Sequence, residues 1–127
     1  MAGRGRLTTH VLDLSRGRPA EGVAVTLYKL NDGGLMNSGG SSGGARQLLR
    51  EAVTNSDGRL DEPLLTGESM EAGLYELEFD VGSYFGQEAS GGFLELVPVR
   101  FRIAGPDEHV HVPLLAAPGG YSTYRGS

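Results

Sequence analysis

The chain has no cysteine, only three histidines in 127 residues, and fewer basic than acidic side chains, 11 against 16, for a formal charge of −5. Without cysteine there are no disulfides, no thiolate nucleophile and no Cys-type zinc site. The few Lys and Arg residues are scattered rather than clustered, which argues against nucleic acid or an anionic membrane surface as partner. No stretch approaches the roughly 18 consecutive apolar residues of a membrane span. Residues 1–6 carry two arginines but are followed by Leu7-Thr-Thr-His10, where a secretory signal would need an apolar core. The expectation is a cytoplasmic protein with a disordered arm over residues 1–6.

What is present is a period of two. A chain of this length fits one domain, here residues 7–127, able to bury roughly two-thirds of its unfolded surface. Turn signals recur every eight to twelve residues, as in an all-β sandwich or barrel. Strands are expected over Leu7 to Leu14, Val23 to Tyr28, Gln47 to Thr54, Gly73 to Val81, Val97 to Ile103, His109 to Leu115 and Tyr121 to Tyr124, with a short further one through Arg59 and Leu60. That makes about eight. In the Gly73 to Val81 strand, Tyr75, Leu77, Phe79 and Val81 form the apolar face, and Glu76, Glu78 and Asp80 face water. Asp57-Gly58 reads as a turn of the kind that joins hairpin strands. Helix is nearly absent, with a short one allowed between Gly82 and Ser90. From Gly33 to Gly44, nine of twelve residues are Gly or Ser, a flexible composition expected in an overlong hairpin loop. Such a loop costs little, because closure entropy rises slowly with length.

All three histidines lie in two strand-like segments near the ends of the chain, His10 in one and His109 and His111 in the other. Two residues apart on a strand, His109 and His111 share a face, with Cα atoms about 6.5–7 Å apart. Paired imidazoles can activate water, share a proton or bind metal; two solvated histidines is the plainer reading. Adding His10 makes a three-His zinc site conceivable, but no second shell is recognisable, and none is expected. Arg59, after the Asp57-Gly58 turn, is either a solvated charge or a planar clamp for a carboxylate or urea-like group. The tail Tyr124-Arg125-Gly126-Ser127 is unusual where chains normally fray. Ser127 lacks a nucleophile elbow and a His–acid pair, so its carboxylate could matter more than its hydroxyl. The Gly-rich runs lack the Gly-Lys-Ser/Thr and helix of a phosphate loop.

Taken together, Thr9-His10-Val-Leu-Asp13, Gly17-Arg-Pro19-Ala20, Asn55-Ser-Asp57-Gly58-Arg59, Tyr84-Phe85, His109-Val-His111-Val-Pro113-Leu-Leu and Tyr124-Arg-Gly-Ser127 resemble the transthyretin-related 5-hydroxyisourate hydrolases. The resemblance runs from Leu7 to Ser127, interrupted by the Gly/Ser loop. The terminal Tyr-Arg-Gly-Ser separates the hydrolases from the hormone-binding transthyretins, which also carry other residue types at the positions of His10, Arg59 and His111. The resemblance implies an all-β, two-sheet antiparallel sandwich with one short helix. It also implies a homotetramer, a dimer of dimers with sites where dimers meet. The implied reaction is hydrolysis of 5-hydroxyisourate to 2-oxo-4-hydroxy-4-carboxy-5-ureidoimidazoline, without metal or organic cofactor. In that reaction His10 and His111 would orient and deprotonate water, and Arg59 would hold the substrate and its oxyanion. Tyr124 would contact substrate, Arg125, Gly126 and Ser127 would shape the wall, and His109 would support. The chain departs from the pattern in its long loop and in Ala116-Ala117-Pro118-Gly119-Gly120.

Two other classes of function remain open at this point. A transthyretin-like module binding a small aromatic ligand would need neither the His/Arg set nor the tail. A structural sandwich with an adhesive role leaves every motif unexplained.

Overall fold

The structure, a computed structural model, describes residues 4–30, 46–86 and 93–126. Its strands are β1 (Arg6–Asp13), β2 (Arg18–Pro19), β3 (Ala24–Leu30), β4 (Arg46–Val53), β5 (Leu65–Thr66), β6 (Gly73–Asp80), β7 (Leu96–Ile103), β8 (His109–Ala117) and β9 (Gly120–Thr123); among the described residues there is one α-helix, α1 (Val81–Phe85), and a 3-10 turn over Gly67–Ser69. They form two sheets. One has the order β2-β1-β8-β9 with β5 also on β1, and the other has the order β4-β3-β6-β7.

Alternation decides which side chains meet between the sheets. In β1, Leu7, Thr9, Val11 and Asp13 point inward and are buried, leaving Thr8 and His10 on the outer face. In β8, Val110, Val112 and Leu114 are buried while His111 lies outside the core. Tyr75, Leu77 and Phe79 of β6 and Val25 and Leu27 of β3 fill the core from the opposite sheet, each at most 1% exposed. The outer face of the β1–β8 pair is thus freed for chemistry.

Most expected strands form within a residue or two of their places, and some features differ. The β1–β8 pair is parallel, Thr8 lying opposite His111 and His10 opposite Pro113, whereas every other ladder is antiparallel. Arg59 and Leu60 do not make a strand. Arg59 forms a single bridge to His10, and the short strand falls later, at Leu65–Thr66. Glu76 does not face water. It is 4% exposed beneath Arg46 and Arg100, whose guanidinium groups approach its carboxylate at 3.0 and 2.8 Å. A long Arg side chain covers a neighbouring acid because its stem lies along the sheet.

The helix is shorter than expected, Val81–Phe85, begun by Asp80, whose carboxylate accepts from the Ser83 amide at 3.0 Å. The rest of its expected range, residues 87–90, lies outside the described residues, as does the Gly/Ser loop at 33–44. Of the arm expected to be disordered, residues 4–6 are tied down. The amide of Arg4 donates to the Asp107 carboxylate and that of Gly5 to the Pro106 carbonyl, so the pairing of β1 with the last third of the chain starts there. No described helix is long and apolar enough to cross a membrane.

Candidate active site

Three local devices bring the outer-face residues together. The first is the turn at 55–58. The Asn55 side-chain carbonyl accepts from the amides of Asp57 and Arg59, and the Gly58 amide donates to the Asn55 carbonyl at 2.8 Å. Gly58 has φ +74°, and a Cβ there would lie 2.4 Å from the Val11 carbonyl oxygen. Only glycine combines that backbone with that approach. The Gly58 carbonyl accepts from the Val11 amide at 2.8 Å, which lays Arg59 across β1 beside His10. The Asp-Gly turn therefore does not join two hairpin strands; it delivers one arginine to the sheet face.

The second device is Pro113. The backbone of His111 faces the tail, its carbonyl accepting from the Gly126 amide at 2.8 Å. Residues two apart face the same way, so an amide at position 113 would face the tail too, and proline has none. The β8–β9 ladder runs from Ala117 only as far as Leu114 and Thr123, and the next bridge is His111 with Gly126. Tyr124 is thereby released from the ladder and stands 61% exposed.

The third is the anchoring of the tail. Arg125 donates to the Glu108 carboxylate at 2.9 Å and to the His109 carbonyl at 3.2 Å. Its guanidinium faces Glu108 and is not among the walls of the cavity described next, so within the single chain it anchors the tail. Ser127 lies outside the described residues.

These devices surround an open cavity of about 520 Å³ on the outer face of the β1–β8 pair. Its walls include His10, Arg59, His109, His111, Tyr124 and Gly126, all singled out from the sequence, and also Arg6, Thr8 and Val110. Thr8 and Arg6 were legible by the same alternation that placed His10, since they sit two and four residues before it. Neither belongs to a residue type that announces chemistry. The Thr8 hydroxyl lies 2.8 Å from Nδ1 of His111.

The cavity carries two arginines and three histidines and no acid. Burial lowers the pKa of His10, and the charge of Arg59 lowers it further against a smaller opposing effect of Asp57. His111 is lowered by burial first, then by Arg59 and by His10. In both imidazoles, burial and the neighbouring Arg59 charge thus favour the neutral form, which can take a proton. Among the described residues no three His, Asp or Glu side chains are grouped as a metal ion requires. At the far end of β1, Asp13 is 1% exposed. Burial alone would raise its pKa, but hydrogen bonds from Ser15, Tyr84 and the Arg16 amide outweigh that and hold it low. Tyr84, donating to Asp13 at 2.7 Å, is pushed up to about 12 by burial and by that carboxylate. The pair ties α1 to β1 and stands apart from the cavity.

The profile described as HIUase/Transthyretin family matches residues 7–126. The chain belongs to that family. Among family members, the 5-hydroxyisourate hydrolase of Halalkalibacterium halodurans is 52% identical, over 97% of this chain and 98% of its own length. The structure of Klebsiella pneumoniae 5-hydroxyisourate hydrolase superposes with a TM-score of 0.75 at 35% identity, over 97% of this chain and 99% of that one. An (S)-allantoin synthase structure superposes with a TM-score of 0.82 at 40% identity over 98% of this chain, which spans only 44% of that longer protein. The superpositions agree with the two-sheet fold described above.

Proposed function

We propose that this chain is a 5-hydroxyisourate hydrolase, producing 2-oxo-4-hydroxy-4-carboxy-5-ureidoimidazoline by opening a cyclic amide. The observation that carries the proposal is the cavity itself: two imidazoles, His10 and His111, whose pKa values burial and Arg59 lower, beside that arginine and with no acidic side chain in the wall. A water held between the imidazoles loses its proton to one of them as its oxygen bonds to the ring carbonyl carbon. The carbonyl oxygen becomes an oxyanion facing the Arg59 guanidinium, a fixed donor that needs no rearrangement. Collapse breaks the C–N bond, the imidazolium returns its proton to the leaving nitrogen, and the product carries a new carboxylate and a ureido group. Every step uses an imidazole, a guanidinium and water, so no metal or organic cofactor is needed.

Tyr124 and Gly126 wall the cavity on the tail side. The hormone-binding alternative within the family is disfavoured by the same lining, because a small aromatic ligand calls for an apolar pocket with few polar groups. The cavity is open on the side away from the sheet, and Tyr124 in its wall is 61% exposed. That supports a second copy as the missing wall, in a homotetramer of this cytoplasmic enzyme.

Freshly generated 5-hydroxyisourate provides the test. The protein should accelerate its disappearance and yield the ureido-carboxylate. Tight binding of an aromatic ligand with no acceleration would replace the hydrolase by the binding module.

A further inference from the structure

A histidine acts as a base only if the nitrogen facing the reaction lacks its hydrogen, and that is set by what the other nitrogen touches. In His111 the other nitrogen is Nδ1, 2.8 Å from the Thr8 hydroxyl. This contact is built into the backbone, since Thr8 and His111 are direct partners in the parallel β1–β8 ladder. Another edge of the ring is covered by the tail, where a Cβ on Gly126 would lie 2.5 Å from Cδ2. With Nδ1 engaged by Thr8, Nε2 is the nitrogen left for the cavity.

Resting on the hydrolase reading above, we propose that Thr8 is a positioning residue for His111: its hydroxyl oxygen accepts from Nδ1–H and holds the tautomer whose Nε2 presents a lone pair to the attacking water. A hydroxyl can donate or accept, and the reaction cycle separates the two cases. When Nε2 takes the proton, both ring nitrogens carry hydrogen, and a Thr8 that already accepts from Nδ1 keeps its bond unchanged. A Thr8 that donated to Nδ1 would leave Nε2 carrying the hydrogen and unable to act as a base. The free imidazole ring favours the Nε2–H form, so a positioning group is required to reverse it.

The choice of a hydroxyl also has an electrostatic reason. In serine proteases a carboxylate does this work, fixing the tautomer and stabilising the imidazolium. A carboxylate at position 8 would place a negative charge against the oxyanion that Arg59 must hold and would raise the pKa of His111, which burial, Arg59 and His10 now lower. Threonine orients the ring without adding charge to a cavity wall that contains no acid.

The test compares Thr8→Val, which keeps the shape and removes the hydroxyl, with Thr8→Ser, which restores it. Thr8→Val should lower kcat on 5-hydroxyisourate by roughly tenfold to a hundredfold with little change in KM. That loss should be smaller than that of His111→Ala, expected at roughly 10²–10⁴ for a general base. Thr8→Ser should recover most of it, and Thr8→Val added to His111→Ala should cost nothing more. Imidazole ¹⁵N NMR should show His111 as Nδ1–H in the wild type and as Nε2–H in Thr8→Val.

Wild-type His111 in the Nε2–H form would overturn the proposal even if the valine variant failed to fold. So would Thr8→Val raising KM alone, which would make Thr8 a substrate contact. If His111→Ala itself keeps full turnover, the base assignment fails. If only Thr8→Val does, the assignment stands and Thr8 has no part in it.

Discussion

A methyl group on residue 126 would sit 2.5 Å from Cδ2 and 3.1 Å from Cγ of His111. Gly126 is therefore the position at which the tail presses on the imidazole, and a side chain there must move one or the other. Gly126→Ala should lower turnover on 5-hydroxyisourate by roughly tenfold to a hundredfold, since a misplacement of about 1 Å in an active site can cost the latter. Its melting temperature should stay within a few degrees, because the tail contributes no described side chain to the core. Thermal melts beside steady-state rates separate the two effects. The histidines make a second claim at this scale. Burial and Arg59 lower the pKa of both His10 and His111 below 6.5, with His109 and Arg6 on the same wall and Asp57 opposing weakly at His10. Activity that needs them neutral should hold through pH 7 and fall only as the pH drops below about 6.5. Folding follows the same sign. The unfolded chain binds these protons more readily than the native one, so this contribution to stability is intact above about pH 6.5 and is lost as the pH falls further. Arg59→Ala removes one lowering charge and should move the acid limb of its residual pH–rate profile upward. An unmoved limb would mean that other groups set it.

Within elements, the strands were readable because period two writes itself directly into burial. Leu7, Thr9, Val11 and Asp13 inside and Thr8 and His10 outside follow from alternation alone. The parallel direction of β1 against β8 was not readable, because alternation says which face a residue occupies and nothing about the neighbour strand. For the same reason His10, Arg59, His111 and Tyr124 could be named from the resemblance, while the Thr8 contact with His111 waited for the register. Arg125 was expected to shape the wall of the site; its contact with Glu108, 17 residues away, is one that only the fold identifies. The β3–β4 hairpin offers a prediction at this level. Those strands pair out to Leu30 and Arg46, in the sheet opposite the cavity. Replacing residues 31–45 by a two-residue Asn-Gly turn should leave turnover within a few-fold, since the hairpin can close on itself. A large loss in a folded variant would show that this segment takes part in the site.

For the whole molecule, the contrast in charge is the main point. A chain of net charge −5 presents a cavity wall with Arg6, Arg59 and three histidines and no acid. Such a wall favours an electron-rich substrate and an anionic product in a molecule that would otherwise repel them. The cavity's open side and the exposed Tyr124 in its wall support the proposal that a second copy completes the site. Light scattering should report a tetramer, and activity per subunit should fall where dilution dissociates it; a fully active monomer would remove the partner wall from the account. The most direct measurement of the central claim is the turnover of freshly generated 5-hydroxyisourate by the wild type, His111→Ala and Arg59→Ala, each checked for folding and assembly. The account predicts rapid hydrolysis by the wild type and losses of roughly 10²–10⁴ in each variant, through the base in one and the oxyanion donor in the other. Folded, assembled variants that retain wild-type turnover would contradict it.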